Sequence, residues 1–155
     1  VNDQGIWLLE VAPRSIGGLC GRVLTHSLGI TLEVLIMRRA AGEALPISDA
    51  RGAAGVMMIP IPRRGIYHGV EGLAEARAVL AVTEVTLTVE PGQIIAPPPD
   101  GSSYLGFIFS RAESAMDAET ALRTAHRRLH FDIRPEYPAT QMQAAKTRSG
   151  HSAFP

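Results

Sequence analysis

The order of strand and helix patterns in the second half of the chain constrains its fold more than any other feature. Residues 82–89 alternate, with Val85, Leu87 and Val89 on one side, which predicts a half-buried strand. The predicted elements are, in chain order, a strand at 66–70, a helix at 73–80, a strand at 82–89, a strand at 104–110, a helix at 114–129 and a strand at 131–133. This is the order of a ferredoxin-like antiparallel α+β subdomain.

The apolar residues of the two predicted helices indicate which helix faces enter the core. In the shorter helix, Leu73, Ala76 and Leu80 fall in register on one face. In the longer helix, the predicted core residues are Met116, Ala121, Leu122, Ala125 and Leu129. Two proline- and glycine-rich clusters, at 91–92 and 97–101, bracket one further short extended piece.

The first half predicts a strand, two helices and a hairpin. Residues 6–11 form a short apolar run between turn residues, which is typical of a buried strand. Helices are predicted over 17–27 and over 31–41, with Thr31 as the cap and Gly42 as the terminator of the second. A strand at 53–61 is expected to pair antiparallel with 66–70 across the short connection between them.

These patterns divide the chain into three parts. Residues 1–45 hold the first strand and two helices, 53–133 hold the α+β subdomain, and 134–155 read as a flexible tail with little apolar material. Residues 44–52 are read as a linker.

Composition excludes several classes of function. The 155 residues carry 15 lysines and arginines against 15 aspartates and glutamates, so no net field favours nucleic acid or an anionic membrane. No apolar stretch approaches the roughly 20 residues that span a bilayer. The one cysteine forms no internal disulfide and no secretory leader pattern is present, so we expect a cytoplasmic protein.

The chemistry-bearing residues cluster at the first predicted strand. Glu10 ends the apolar run, Arg14 follows four residues later, and Gly17 and Gly18 precede a predicted helix start. A carboxylate suits Mg²⁺, a guanidinium holds phosphate in two contacts, and glycines let an anion approach the N–H groups of a helix start. The alternative interpretation is a surface glutamate followed by an ordinary glycine turn.

Other polar residues give weaker signals. His126 and His130 are four residues apart on the long helix, but no third metal ligand has a matching position, and two arginines lie between them. Cys20 reads as a small buried thiol on a helix face. We therefore predict no metal role for the histidines and no nucleophilic role for the cysteine.

The run at residues 8–18, Leu-Leu-Glu-Val-Ala-Pro-Arg-Ser-Ile-Gly-Gly, resembles the last strand and following loop of the ATP-grasp fold, where the pattern is Glu, any residue, Asn, any residue, Arg. Residues 55–62 and 102–109 resemble the C-terminal subdomain of ATP-grasp carboxylate–amine ligases of the L-amino acid ligase type. The resemblance implies an α+β chain: a C-terminal piece of an ATP-grasp fold, with its strand and two helices, followed by the ferredoxin-like subdomain.

By this resemblance, the complete enzyme uses ATP and Mg²⁺ to activate a small carboxylate as an acyl phosphate for attack by an amine. Glu10 is then a magnesium ligand. Arg14 is the catalytic and phosphate-binding residue, and Gly17 and Gly18 shape the cofactor-binding wall. Ala12 stands where the family often has a metal-binding asparagine.

The family's second metal carboxylate, and the lobes that cover adenine, precede the position matched by Glu10. We therefore expect a fragment that depends on N-terminal lobes and is inactive alone. One alternative is a non-catalytic ferredoxin-like module that binds a small molecule or forms a homodimer through its sheet. The other is a truncated reading frame without a function of its own, which would aggregate through open sheet edges and an exposed apolar face.

Overall fold

The computed structural model describes residue 3 and residues 5–8, 10–11, 16–17, 19–44, 52–101 and 104–136. The chain forms two compact units, residues 1–51 and residues 52–155. The predicted tail beyond residue 136 and most of the predicted linker lie outside the described residues.

The first unit contains two short helices, α1 (Cys20–Leu28) and α2 (Leu32–Ala40). Helix α1 ends at Gly29, which has a φ of 69° and donates its N–H to the carbonyl of Thr25. A residue with positive φ at this position is the common way to end a helix, because glycine adopts it without a steric penalty. Both helices were predicted, and their observed limits differ by one to three residues.

Helix α2 is capped as the sequence predicts. The Thr31 side chain accepts a hydrogen bond from the N–H of Val34 at 3.3 Å, and Gly42, with a φ of 78°, follows the helix. Gly21 lies against Leu32: a Cβ built on Gly21 would be 3.6 Å from Leu32 Cδ2. A methyl group at position 21 would therefore make ordinary van der Waals contact with Leu32.

The strand predicted over 6–11 is absent from its described residues. Residues 6–8 and 10–11 have no regular secondary structure, and Ile6, Leu8 and Val11 are exposed. An extended run becomes a strand only when a neighbour supplies ladder hydrogen bonds. Among described residues 5–8 and 10–11, only Gly5 forms a bridge.

The second unit is an α+β structure with two antiparallel sheets. Its elements are β1 (Ala53–Ile59), β2 (Gly65–Glu71), α3 (Leu73–Arg77), β3 (Val82–Leu87), β4 (Ile94–Ile95), β5 (Gly106–Ala112), α4 (Ala115–Arg128) and β6 (His130–Arg134). In the part of the unit that the structure describes, the strand orders are β1-β5-β3 and β4-β2-β6. The predicted order strand, helix, strand, strand, helix, strand is confirmed from β2 onward, with β4 as the predicted short extended piece.

The predicted hairpin between β1 and β2 is wrong. Strand β1 pairs with β5, in the register Val56 to Phe109, whereas β2 pairs with β4 and β6. Pro60 and Pro62 explain the difference, because each proline removes a ladder donor and holds the residue before it in an extended conformation. Ile61, between them, is only 4% exposed. The connection therefore carries the chain from one sheet to the other instead of turning back.

The core of the second unit lies between α4 and the first sheet and continues under the second sheet. Strand β5 is the central strand of the first sheet, and the Ser110 hydroxyl donates to the carbonyl of Ala118 at 2.9 Å, which ties β5 to α4. The buried apolar cluster includes Ile59, Tyr67, Ala76, Val85, Ile95, Leu105, Ile108, Leu122, Ala125, Leu129 and Ile133.

Two predicted core residues are exposed instead. Leu80 is 92% exposed because α3 ends at Arg77, so the helical register that would place Leu80 beside Ala76 does not continue. Met116 is 77% exposed, in the first turn of α4, and Ala118 takes the buried position there. The described residues contain no helix that is both long enough and apolar enough to cross a membrane.

Candidate functional site

The predicted metal and phosphate residues fall at the start of the first unit. Glu10 is exposed and lies in a stretch without regular secondary structure. Arg14 and Gly18 lie outside the described residues. The predicted convergence of Glu10 and Arg14 on one pocket therefore stays a prediction.

Gly17 lies in the turn that leads into α1. Its carbonyl accepts a hydrogen bond from the N–H of Cys20 at 3.3 Å, and α1 begins at Cys20. The residue before the helix, Leu19, has a φ of 56°, and no side chain caps the helix start. A helix start carries partial positive charge from its N–H groups, so this turn has the polarity that an anion requires.

A groove of about 380 Å³ lies beside this turn, within the first unit. Gly17 and Gly21 contribute no side chain to it. Its polar side chains are those of Arg22, Thr25, Thr31 and Glu33. The sequence interpretation named Gly17 but missed Arg22. The signal for Arg22 was its position two residues into α1, in the helix's first turn.

The donor set fits part of a magnesium site. Magnesium is often held by one or two carboxylates while waters and substrate phosphates fill the remaining positions. Glu10 supplies one exposed carboxylate. Among the described residues, no group of three or more His, Cys, Asp or Glu side chains is arranged to hold a metal ion. His126 and His130 are therefore not part of such a group. One exposed carboxylate of the first unit is therefore available to such a site, and the role of Glu10 as a magnesium ligand stays a prediction.

The second unit has a polar groove of about 450 Å³ along β2 and β6. His68, at a bulge in β2, and Asp132 of β6 line it. Arg134 hydrogen-bonds to Asp132 at 2.7 Å and holds the pKa of that carboxyl below its ordinary value. The hydrogen bond from Arg134 is the largest cause of this lowered pKa; desolvation opposes it, and the nearby Arg134, His68 and Arg63 each lower the pKa by a smaller amount. This groove carries mixed charge on an exposed sheet face.

The family model of L-amino acid ligase C-terminal domain 2 matches residues 57–134, which is half of the chain. The chain belongs to this family. The matched residues lie in the second unit. The resemblance to ATP-grasp ligases of the L-amino acid ligase type is therefore confirmed at the level of the family.

Solved structures agree with this family assignment. The L-amino acid ligase from Bacillus licheniformis is 25% identical, with a TM-score of 0.61, over 76% of this chain and 30% of that protein. The phosphoribosylglycinamide synthetase from Anaerococcus prevotii is 16% identical, with a TM-score of 0.67, over 86% of this chain and 35% of that protein. Both are ATP-grasp enzymes, and the second likeness shows the fold alone.

One curated relative, the uncharacterized protein y4rH from Sinorhizobium fredii, is 24% identical over 135 residues, which are 86% of this chain and 28% of that protein. The chain thus spans about a third or less of the relatives it matches. The fold is that of the C-terminal part of ATP-grasp ligases, as the sequence predicted.

Proposed function

We propose that this chain works as the C-terminal part of an ATP-dependent carboxylate–amine ligase. The observation that carries the proposal is the match of residues 57–134 to L-amino acid ligase C-terminal domain 2. The likeness to the B. licheniformis L-amino acid ligase extends beyond that stretch, to 76% of the chain. The two substrates to be joined would be small molecules, one with a carboxylate and one with an amine. The predicted location of the protein stays the cytoplasm.

Glu10 and Arg14 are the proposed functional residues of the first unit. The exposed Glu10 carboxylate would hold Mg²⁺ on one side, with phosphate oxygens of ATP completing the coordination. Arg14 would hold the transferred phosphoryl group through its planar fork and stabilise the charge that develops there. Gly17 and Gly18 would leave room for an anion at the start of α1.

The reaction class follows from the family. A carboxylate oxygen would take the γ-phosphoryl group of ATP to give an acyl phosphate, with ADP as the leaving group. The amine would then attack the acyl carbon and lose a proton, and phosphate would leave with one of the carboxylate's oxygens. The residues of this chain contribute charge and position to the first of these steps.

Catalysis would need residues beyond the 155 of this chain. Relatives are about three times as long, and a second metal carboxylate together with a nucleotide-binding lobe would come from the remaining part. We therefore propose that the 155 residues alone neither ligate substrates nor hydrolyse ATP at an enzymatic rate.

The genomic sequence upstream of the Val1 codon provides a first test. An in-frame ATP-binding lobe is the expected result. A start codon at this position, next to an unrelated gene and with no ATP-binding lobe encoded nearby, would contradict the proposal and favour the non-catalytic module.

Site variants in the complete reading frame provide the second test. We expect Glu10→Gln to raise the Mg²⁺ concentration for half-maximal phosphate release by about tenfold or more, since a direct ligand is lost. Arg14→Lys should lower kcat by about 10²-fold, because a single ammonium replaces a two-point contact. Glu43→Gln is the matched control: this exposed carboxylate of the same unit lies 3.8 Å from Arg38 and outside the proposed site. Equal effects of Glu10→Gln and Glu43→Gln would refute the assignment of Glu10.

A further inference from the structure

Helix α4 carries a stripe of polar residues outside the core. Asp117, Thr120, Thr124 and Arg127 are spaced by three, four and three residues, so they follow one line along the helix surface. Arg127 donates from Nη2 to the Thr124 hydroxyl at 3.0 Å, which directs its side chain along this line. These four residues form the α4 stripe. It has an acid at one end, small side chains in the middle and a base at the other end.

A groove of about 650 Å³ runs beside the α4 stripe, within the second unit. Its opposite wall is the turn at Val79, Leu80 and Ala81, and Leu80 projects there almost completely exposed. The Ala81 carbonyl accepts a hydrogen bond from the N–H of Arg111 at 2.9 Å, which fixes this turn to β5. An exposed leucine on a fixed wall beside small helix residues is a surface suited to contact with another helix.

The α4 stripe is complementary to itself when reversed. Its residue numbers are symmetric about 122, since Asp117 and Arg127 lie five residues to either side and Thr120 and Thr124 lie two residues to either side. A second α4 placed antiparallel on the first would therefore bring Asp117 opposite Arg127, twice. The two threonine pairs would lie between them, where helices need small side chains to approach closely. An interface formed by the same patch on both subunits is the definition of a two-fold dimer.

We propose that the α4 stripe and the Leu80 wall form the contact surface for a second copy of this chain in a two-fold dimer. Charge complementarity favours this occupant, because both ion pairs form only in the antiparallel arrangement and a parallel one brings like charges together. Leu80 is then covered by the partner's helix. This surface lies apart from Glu10 and Arg14 in sequence, and the proposal does not depend on the ligase assignment.

The contact is small, so the dimer is weak. Helix α4 is 14 residues long, or about 21 Å. An interface built on one such helix pair and two leucines is at the low end of specific interfaces, and we expect a dissociation constant of about 10–100 µM. Exposed ion pairs weaken as salt screens them, so the dissociation constant should rise with ionic strength.

Sedimentation equilibrium of the full 155-residue chain tests the proposal, with circular dichroism to show that each variant is folded. Arg127→Glu replaces two attractive pairs by two repulsive ones and should weaken the dimer by about tenfold. Asp117→Arg combined with Arg127→Glu restores opposite charges and should return the dissociation constant to within about threefold of the original. Leu80→Asp should weaken the dimer by about tenfold or more.

Arg64→Glu combined with Glu136→Arg is the matched control. These two exposed residues pair with each other at 3.2 Å, neither lies on α4, and their exchange should leave the dimer unchanged. A chain that stays monomeric at about 500 µM overturns the proposal. Association that Arg127→Glu leaves unchanged, or that the double exchange of Asp117 and Arg127 fails to restore, overturns it equally, because the contact then lies elsewhere.

Discussion

Replacing Ile108 by alanine tests the assignment of β5 as the centre of the second unit. Ile108 is 0% exposed and belongs to the main apolar cluster. It pairs with Met57 of β1 on one side and with Val85 of β3 on the other. A loss of side-chain volume at this position therefore affects packing against both neighbouring strands.

The expected cost follows from the atoms removed. The change deletes three carbons, worth about 2.4 kcal/mol at roughly 0.8 kcal/mol for each buried CH₂ group. The cavity that remains adds to this, which brings the loss in free energy of unfolding to about 3–4 kcal/mol. For a unit of this size, such a loss lowers the melting temperature by about 12–30 °C.

The assay is thermal and chemical unfolding followed by near-ultraviolet circular dichroism of the tyrosines, since Tyr67 is buried in the second unit whereas the one tryptophan, Trp7, lies in the first. Ile94→Ala is the matched control: it removes the same atoms from a strand residue that is 53% exposed, and should cost less than about 1 kcal/mol. Equal losses for the two variants would refute the placement of β5 in the core.

Two further predictions concern the backbone and the charge of the second unit. Gly72→Ala should lower the free energy of unfolding by at least about 2 kcal/mol, because Gly72 has a φ of 81° and an added Cβ would overlap the carbonyl oxygen of Arg128. Gly69→Ala is the control: nothing lies within 4 Å of its added Cβ, so the free energy of unfolding should change by less than about 0.5 kcal/mol. Similar losses for the two variants would contradict this reasoning. The contact with Arg134 lowers the pKa of Asp132, so the ionised Asp132 stabilises the fold fully above the ordinary aspartate pKa of about 3.9, and this stabilisation is lost as the pH falls below that value. Asp132→Asn should remove this part of the acid-induced loss of stability. Identical curves of stability against pH for the two proteins at low salt would contradict the prediction.

Elements specified by local chemistry were predictable from the sequence. The Thr31 cap and Gly42 mark the ends of α2, the alternation of β3 marks its buried side, and the apolar spacing of α4 marks most of its core face. Each of these signals acts over a few residues and needs no distant partner. The structure agrees with them to within a few residues.

Pairings and exposures that depend on distant segments were not predictable. The partner of β1 is β5, about 50 residues away, and a sequence pattern shows only that β1 is an apolar strand. Leu80 continues a helical pattern, yet the helix ends before it. Short motifs in the sequence also predicted the family. They do not specify the distance between the Glu10 and Arg14 side chains or the directions in which these side chains point.

The most direct test of the central claim follows the oxygen atoms of the substrate carboxylate. The complete reading frame is incubated with ATP, Mg²⁺, an amine and an amino acid whose carboxylate carries ¹⁸O, and the released phosphate is analysed by mass. A carboxylate–amine ligase that works through an acyl phosphate transfers one ¹⁸O to inorganic phosphate in each turnover, and Glu10→Gln should slow this transfer at limiting Mg²⁺. Ligation that leaves the phosphate unlabelled, or no ligation with any pair of amino acids tested, would contradict the account.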